Sequence, residues 1–431
     1  MKGTKKMLSL VMALLLALGL FGTASASEEQ ITLRFSWWGS DARHAATLAA
    51  CERYHELNPN ITIEGEYSAI DTYYQKLITQ FAGNTAPDII QMDYPWLTDF
   101  AAQGRFLENF NDYTDIVAVD KFDSDYLAGW CSVDGRLEGM PFSLNGYTMM
   151  FNQKLVEEAG IDLTVDSLWT WDKFIEEGVK FVTAYPDYVF LHSDSHTLEK
   201  NIFKPYLIQT YGGQYINDDL TLSFGKENLV QTYDFLLELL DKGLIQPLSE
   251  TAAYNGKVDQ NPIWANGQAA ICIRWTSDMI QLLNSNVVMS SARLPVIEGS
   301  TDTAINTKPA MIATIYSGSE HKEEAAKFIN WILTDKEALE IVTDKRGVPA
   351  AAESREYLAS KGMLNPALVN AVEVATAHAG SPQNGYNDNA EITAISTDIM
   401  SRLLYKEITS EEGADEYLNR IGEKLDAMKA N

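Results

Sequence analysis

The chain has 431 residues, with 60 acids against 33 lysines and arginines and a formal net charge of −27 at pH 7. That charge argues against nucleic acid and anionic membrane surfaces as partners, and says nothing against a neutral ligand. Three scattered cysteines, Cys51, Cys131 and Cys272, are too few for a disulfide framework or a metal knuckle, although one disulfide stays open in an oxidising compartment.

The first 26 residues read as a processing segment. Lys2, Lys5 and Lys6 form a basic start, Met7 to Leu20 an apolar core, and Ala24-Ser25-Ala26 an A-x-A cleavage site. The apolar run is short for an anchor, and no cysteine near the cleavage site could carry a lipid. Removal leaves 405 residues, suited to two or three domains, and takes three lysines and no acid, moving the charge from −27 to −30. The mature protein is expected to be soluble and outside the cytoplasm, periplasmic or at the cell surface.

Ile31 to Trp37 then alternates as a strand and ends in Trp37-Trp38-Gly39-Ser40-Asp41, with a helix from about Ala42 to the Asn58-Pro59 stop. Ile61 to Tyr67 is a second strand. Tyr74, Leu77, Ile78 and Phe81 make one helix face. The segment 83–96, GNTAPDIIQMDYPW, is the centre of the pattern: turn residues Gly83 to Pro87, an apolar strand Asp88 to Met92, then Asp93, Tyr94 and Trp96. Polar and aromatic groups at the carboxyl end of a buried parallel strand are where open α/β sheets bind ligands. A ring offers an apolar platform and a carboxylate orients hydroxyls, a combination suited to sugar. Strand–helix–strand–helix–strand is the grammar of a parallel sheet under helices.

Asp134-Gly135 marks a short hairpin. Ser143 to Phe151 runs extended with Asn145 and Tyr147 inside it, and a domain crossing is expected near 143–148. Helices follow around Trp171 to Thr183 with Thr170 as N-cap, from Lys200 to Tyr211, and through Leu229 to Leu240 with Gly243 as stop. Ala269 to Ile273 is a short buried strand ending at Arg274-Trp275-Thr276. Ala325, Phe328, Ile329, Ile332 and Leu333 define a further helix, and a loop spans Gly380 to Asn389.

Several segments in this order resemble the extracellular sugar-binding proteins of ABC transporters, family 1, of the maltodextrin-binding type: ITLRFSWW, GNTAPDIIQMD, GMPFSLNGYTMMFNQKLVEEAGI, WTWDKF, NGQAAICIRW and EEAAKFINWILTD before RGVPA. The resemblance implies an α/β, two-lobed periplasmic-binding-protein-like fold of type II, each lobe a mainly parallel sheet flanked by helices. Lobe 1 would comprise 27–144 plus 294–345, and lobe 2 145–293 plus 346–431, with crossings near 143–148, 288–294 and 344–349. It implies no catalysis and no cofactor. The chain would be a monomer that captures a carbohydrate, with several aromatics suggesting an oligosaccharide, and delivers it to a membrane permease by hinge closure.

Carried over by position, the resemblance lines the cleft with Trp37, Trp38 and Asp41, then Asp93 and Trp96. Asn145 and Tyr147 would lie on its floor, Trp275 would stack from the second lobe, and Tyr386 would come from the late loop. Alternation turns one of Trp37 and Trp38 inward and the other outward, and N-capping is the competing role for Asp41. Asn145 stands where the maltodextrin binder has an acid, which tells against a maltose-type ligand. Trp169, Trp171 and Trp331 read as structural. His192, Asp194 and His196 lack a distant further ligand, so no metal is expected, and the acidic run Asp112 to Asp125 reads as solvated surface. The rival class is a secreted glycosidase, whose two carboxylates about 5–10 Å apart would be easy to find among 60 acids. The chain has no G-x-S-x-G, H-E-x-x-H or glycine-rich phosphate loop.

Overall fold

A computed structural model describes residues 29–68, 70–103, 106–255, 260–283 and 286–430. The processing segment inferred for residues 1–26 lies outside them.

The amino-terminal pattern gives β1 (Ile31–Trp38), β2 (Ile61–Ser68) and β3 (Ile89–Met92), separated by helices Asp41–Leu57 and Ile70–Ala82. β1 pairs in parallel with both β2 and β3. The segment after β3 holds the hairpin β4 (Ser132–Val133) and β5 (Arg136–Leu137). Asp134 and Gly135 both take positive φ there (51° and 76°), as a tight two-residue turn of this hand requires. After it come β6 (Met140–Pro141) and the long β7 (Ser143–Asn152). The second half adds β8 (Val189–Leu191), β9 (Ala269–Trp275), β10 (Met289–Ala292), β11 (Thr307–Pro309), β12 (Ile312–Ile315) and β13 (Val348–Pro349).

Two sheets result. The first has the order β2-β1-β3-β12-β6, with β12 returning antiparallel to β3, and the second β10-β7-β9-β8. In the second, only β8 and β9 pair in parallel; β7 enters from the first lobe and meets β9 and β10 antiparallel. The second sheet is therefore less parallel than expected.

Each sheet has its own core. Leu33, Phe35, Ile89 and Ile90 pack with Ile312, Phe328 and Ile329, while Met149, Phe151 and Ile273 pack with Phe174, Phe190 and Leu236. Between the cores the start of β7 is flanked by two other segments: Asn145 is in register with Lys308 of β11, and Leu144 with Val348 of β13. The middle connection corrects the expectation for 288–294. Leu294, Ala304 and Ile305 are buried in the second core, and β10 belongs to the second sheet. The 295–303 stretch is held there by Gln209, whose Nε2 donates to the carbonyls of Pro295 (3.0 Å) and Thr303 (2.9 Å). A buried amide serving two otherwise orphaned carbonyls keeps irregular backbone in the core, so the chain returns at β11. All three cysteines are buried and free.

Candidate functional site

A cavity of about 570 Å3 lies between the two lobes, within the range of small-ligand sites. One wall comes from the first lobe: Tyr74, and the helix Tyr94–Gln103 that begins directly after β3. This helix presents Tyr94, Trp96 and Asp99. The rings support one another. Trp96 stacks on Tyr74 at 5.3 Å and meets Trp38 edge-on at 4.9 Å, arrangements favoured by the ring quadrupoles. The Tyr74 hydroxyl donates to Asp99 Oδ2 (3.1 Å), and burial raises the Asp99 carboxyl above its ordinary value.

The opposite wall is the short turn Gly385–Asp388 with its flanks, presenting Asn384, Tyr386, Asp388 and Glu391. Asn384 orders the turn from both ends: its Oδ1 accepts the Tyr386 N–H (3.1 Å), and its Nδ2 donates to Asp218 Oδ1 (2.9 Å). The turn lies against the first lobe, since a β-carbon built at Gly385 comes within 3.6 Å of Thr98 Oγ1. Among the described residues the lining holds four carboxylates (Asp99, Asp218, Asp388 and Glu391) and no lysine, arginine or histidine. Glu391 pairs with Lys424, and Asp388 with Lys200 and Lys308, from outside the lining.

Of the residues expected in the cleft, Trp96 and Tyr386 line this cavity. Trp38 packs behind Trp96 and is 8% exposed. Asp93 pairs with Lys308 Nζ at 3.1 Å, next to the lining Tyr94. Trp275 and Tyr147 face each other across β7 and β9 with ring centroids 4.0 Å apart, and the Lys308 ammonium lies 5.2 Å from the Trp275 ring centre. Tyr147 is buried rather than open on a cleft floor.

Three further expectations are corrected by placement. Trp37 is fully buried, its Nε1 hydrogen-bonded to His44 Nδ1 (3.0 Å). β1 is flanked by β2 and β3 and covered on both faces, so neither tryptophan points to solvent. Asp41 is an exposed residue in the first helical turn, and the cap is Ser40, whose hydroxyl accepts the Arg43 N–H. Asn145 is buried and engaged: its Oδ1 accepts from Thr276 Oγ1 (2.8 Å) and the Ser277 N–H (3.0 Å), and its Nδ2 donates to Ser277 Oγ (3.2 Å). It ties the crossing strand to the end of β9.

Elsewhere, Asp194 closes a capping box with Thr197 and pairs with Arg274 at 3.5 Å. His192 is buried, with its pKa lowered to about 4 by loss of solvent and then by the Arg274 charge. Two wide depressions around Glu227, Asp234 and Glu411 lie on the second lobe alone, open and flanked by acids.

The family model described as bacterial extracellular solute-binding protein matches residues 39–339. The chain belongs to this family. A solved periplasmic oligogalacturonide-binding protein from Yersinia enterocolitica, in complex with saturated digalacturonic acid, has a TM-score of 0.81 and 25% identity. The match covers 92% of this chain and 99% of that one. The lactose-binding protein of Rhizobium radiobacter is 25% identical over 342 residues, 75% of this chain and 74% of that protein. A binding protein of Brucella abortus is 23% identical over 280 residues, 64% of this chain, and the match spans 65% of that relative's length. The two-lobed arrangement is the type II solute-binding fold.

Proposed function

We propose that this chain is the extracytoplasmic substrate-binding component of an ABC importer. It captures a neutral oligosaccharide between its lobes and hands it to the membrane permease, working as a monomer exported by the leader at residues 1–26. The observation that carries the reading is the interlobe cavity, with rings from one lobe (Tyr74, Tyr94, Trp96), a ring from the other (Tyr386) and carboxylate or amide oxygens between them. Rings cover the C–H faces of a sugar, and oxygens accept its hydroxyl protons.

Asp388 and Glu391 are paired with lysines, so Asp99 and Asp218 carry the charge preference of the lining. A uronate would meet like charge in a partly desolvated space, which costs more than in water. The cargo therefore differs in charge from the digalacturonic acid bound by the Yersinia relative. The three adjacent connections at β7, β11 and β13 serve as the hinge, and closure gains contacts from both walls.

A thermal-shift screen of the mature protein against neutral, amino and uronic oligosaccharides, with the sugar recovered afterwards, tests this. Ligand at a hundredfold excess over Kd stabilises the native state by about 2.7 kcal/mol. A shift with a neutral oligosaccharide recovered intact is expected. Cleaved sugar would establish the glycosidase reading instead. A shift only with uronates would overturn the charge argument, and no shift with any sugar would overturn the cargo class.

A further inference from the structure

Lys308 sits in the middle of β11, where the chain passes between the lobes. Its ammonium is 3.1 and 3.3 Å from the two Asp93 carboxylate oxygens and 3.8 Å from Asp388 Oδ2. The two acids belong to different lobes. Asp93 follows β3 in the first, its Oδ1 also accepting the Tyr94 N–H (2.9 Å). Asp388 ends the turn of the second, and that turn is fastened to the second lobe from behind. Lys204 Nζ donates to the Asn387 carbonyl (2.7 Å), and Lys200 Nζ lies 3.9 Å from Asp388 Oδ1.

We propose that Lys308 is the positioning residue that sets lobe closure: one ammonium shared by a carboxylate from each lobe, which biases the chain towards the closed arrangement before any cargo contributes. Moving the lobes apart separates Asp93 from Asp388, so the ammonium can follow only one of them. The other is left with a weaker set of partners. The Lys308 side chain is 11% exposed, so solvent screens these attractions less than at an open surface. Burial alone would lower its pKa, yet the two carboxylates outweigh burial and raise it. Lys200 opposes the bridge by repelling the Lys308 ammonium, while Lys308, Lys200 and Lys204 together keep Asp388 ionised against its burial. Against that repulsion stand the contacts of 3.1 and 3.3 Å to Asp93 and 3.8 Å to Asp388. The meaning of closure rests on the transport reading above; the bridge itself does not.

The experiment is small-angle X-ray scattering of the mature chain without sugar, which keeps it independent of the cargo. Lys308→Met is expected to raise the radius of gyration at low salt, Lys308→Arg to leave it near the wild-type value, and Asp388→Asn to give an intermediate rise. Asp388→Asn removes one arm of the bridge while leaving Lys308 in place, which keeps the test decisive if Lys308→Met fails to fold. Wild-type dimensions for Lys308→Met, or for Asp388→Asn if Lys308→Met does not fold, would overturn the proposal.

Discussion

β1 and β3 are parallel neighbours in one sheet, and aromatic and acidic residues gather at the same carboxyl edge: Trp37 and Trp38 at the end of one with Asp41 beyond, Asp93, Tyr94 and Trp96 after the other. They do different work. The β1 tryptophans are sealed into the first core, whereas the rings after β3 stand on the first turn of a helix that faces the second lobe. Both strands have a neighbour on either side, so the difference lies in what their ends meet: the Trp37 ring is covered by Phe35 and Tyr67 and its Nε1 is held by His44, whereas Tyr94 and Trp96 open onto the interlobe cavity. β8 repeats the buried case in the second sheet: it runs straight into His192, which is 3% exposed.

The largest effect should come from the buried end of β1. Trp37→Ala removes a fully buried ring packed on Phe35 and Tyr67 and should cost about 3–5 kcal/mol of stability. Sugar affinity of the folded fraction should be unchanged. Urea unfolding with calorimetric titration separates the two, and a loss of affinity would return Trp37 to the site.

The end of β8 makes the same point through pH. His192 folds with a pKa near 4 against an ordinary value of 6.5, so the unfolded chain binds the extra proton first as pH falls. Its stability contribution is complete above about pH 6.5 and is lost progressively towards pH 4, on the order of 3 kcal/mol in total. His192→Asn should flatten that part of a stability-versus-pH curve without altering sugar binding at neutral pH. An unchanged slope would show that His192 is not the group titrating.

The exposed end of β3 should behave oppositely. Trp96→Ala should weaken binding of the cargo found by the thermal screen by about 2 kcal/mol, roughly 30-fold, as expected for a central aromatic contact. If stability falls while affinity holds, Trp96 is only packing on Trp38 and Tyr74, and the contrast between the two strand ends disappears.

What sequence could reach follows the same division. The β3 wall is contiguous, so turn residues, an apolar run and the following rings announce it together, and Tyr386 falls within a recognisable loop. Alternation along β1 could not reveal that both faces are covered, because the covering helices and neighbouring strands are tertiary facts. The amide of Asn145 is spent on Thr276 and Ser277, more than 130 residues away, and nothing local signals that. Lys308 reaches Asp93 from 215 residues away in a stretch with no motif. The irregular passage 294–305 joins the second core through distant partners: Leu294, Ala304 and Ile305 are buried there, Gln209 serves the Pro295 and Thr303 carbonyls, and the Thr303 hydroxyl donates to the His378 carbonyl.

The smallest effect separates the polar part of the β3 wall from its rings. Asp99→Asn keeps the shape and an acceptor for the Tyr74 hydroxyl while removing the charge. Asp99 is exposed, and partial loss of solvent beside Tyr74 raises its carboxyl, so it holds its proton somewhat more tightly in the folded chain than in the unfolded one, at a small cost to stability at neutral pH that solvent screening limits. The substitution should therefore stabilise the protein slightly at pH 7, by thermal melting. A sugar hydroxyl bound to a carboxylate loses the charge-assisted share of its hydrogen bond when an amide replaces it, about 1 kcal/mol or fivefold in affinity. Higher stability with lower affinity would mark Asp99 as a residue kept for its ligand at the expense of the fold. Higher stability with unchanged affinity would leave binding at the end of β3 to the rings alone.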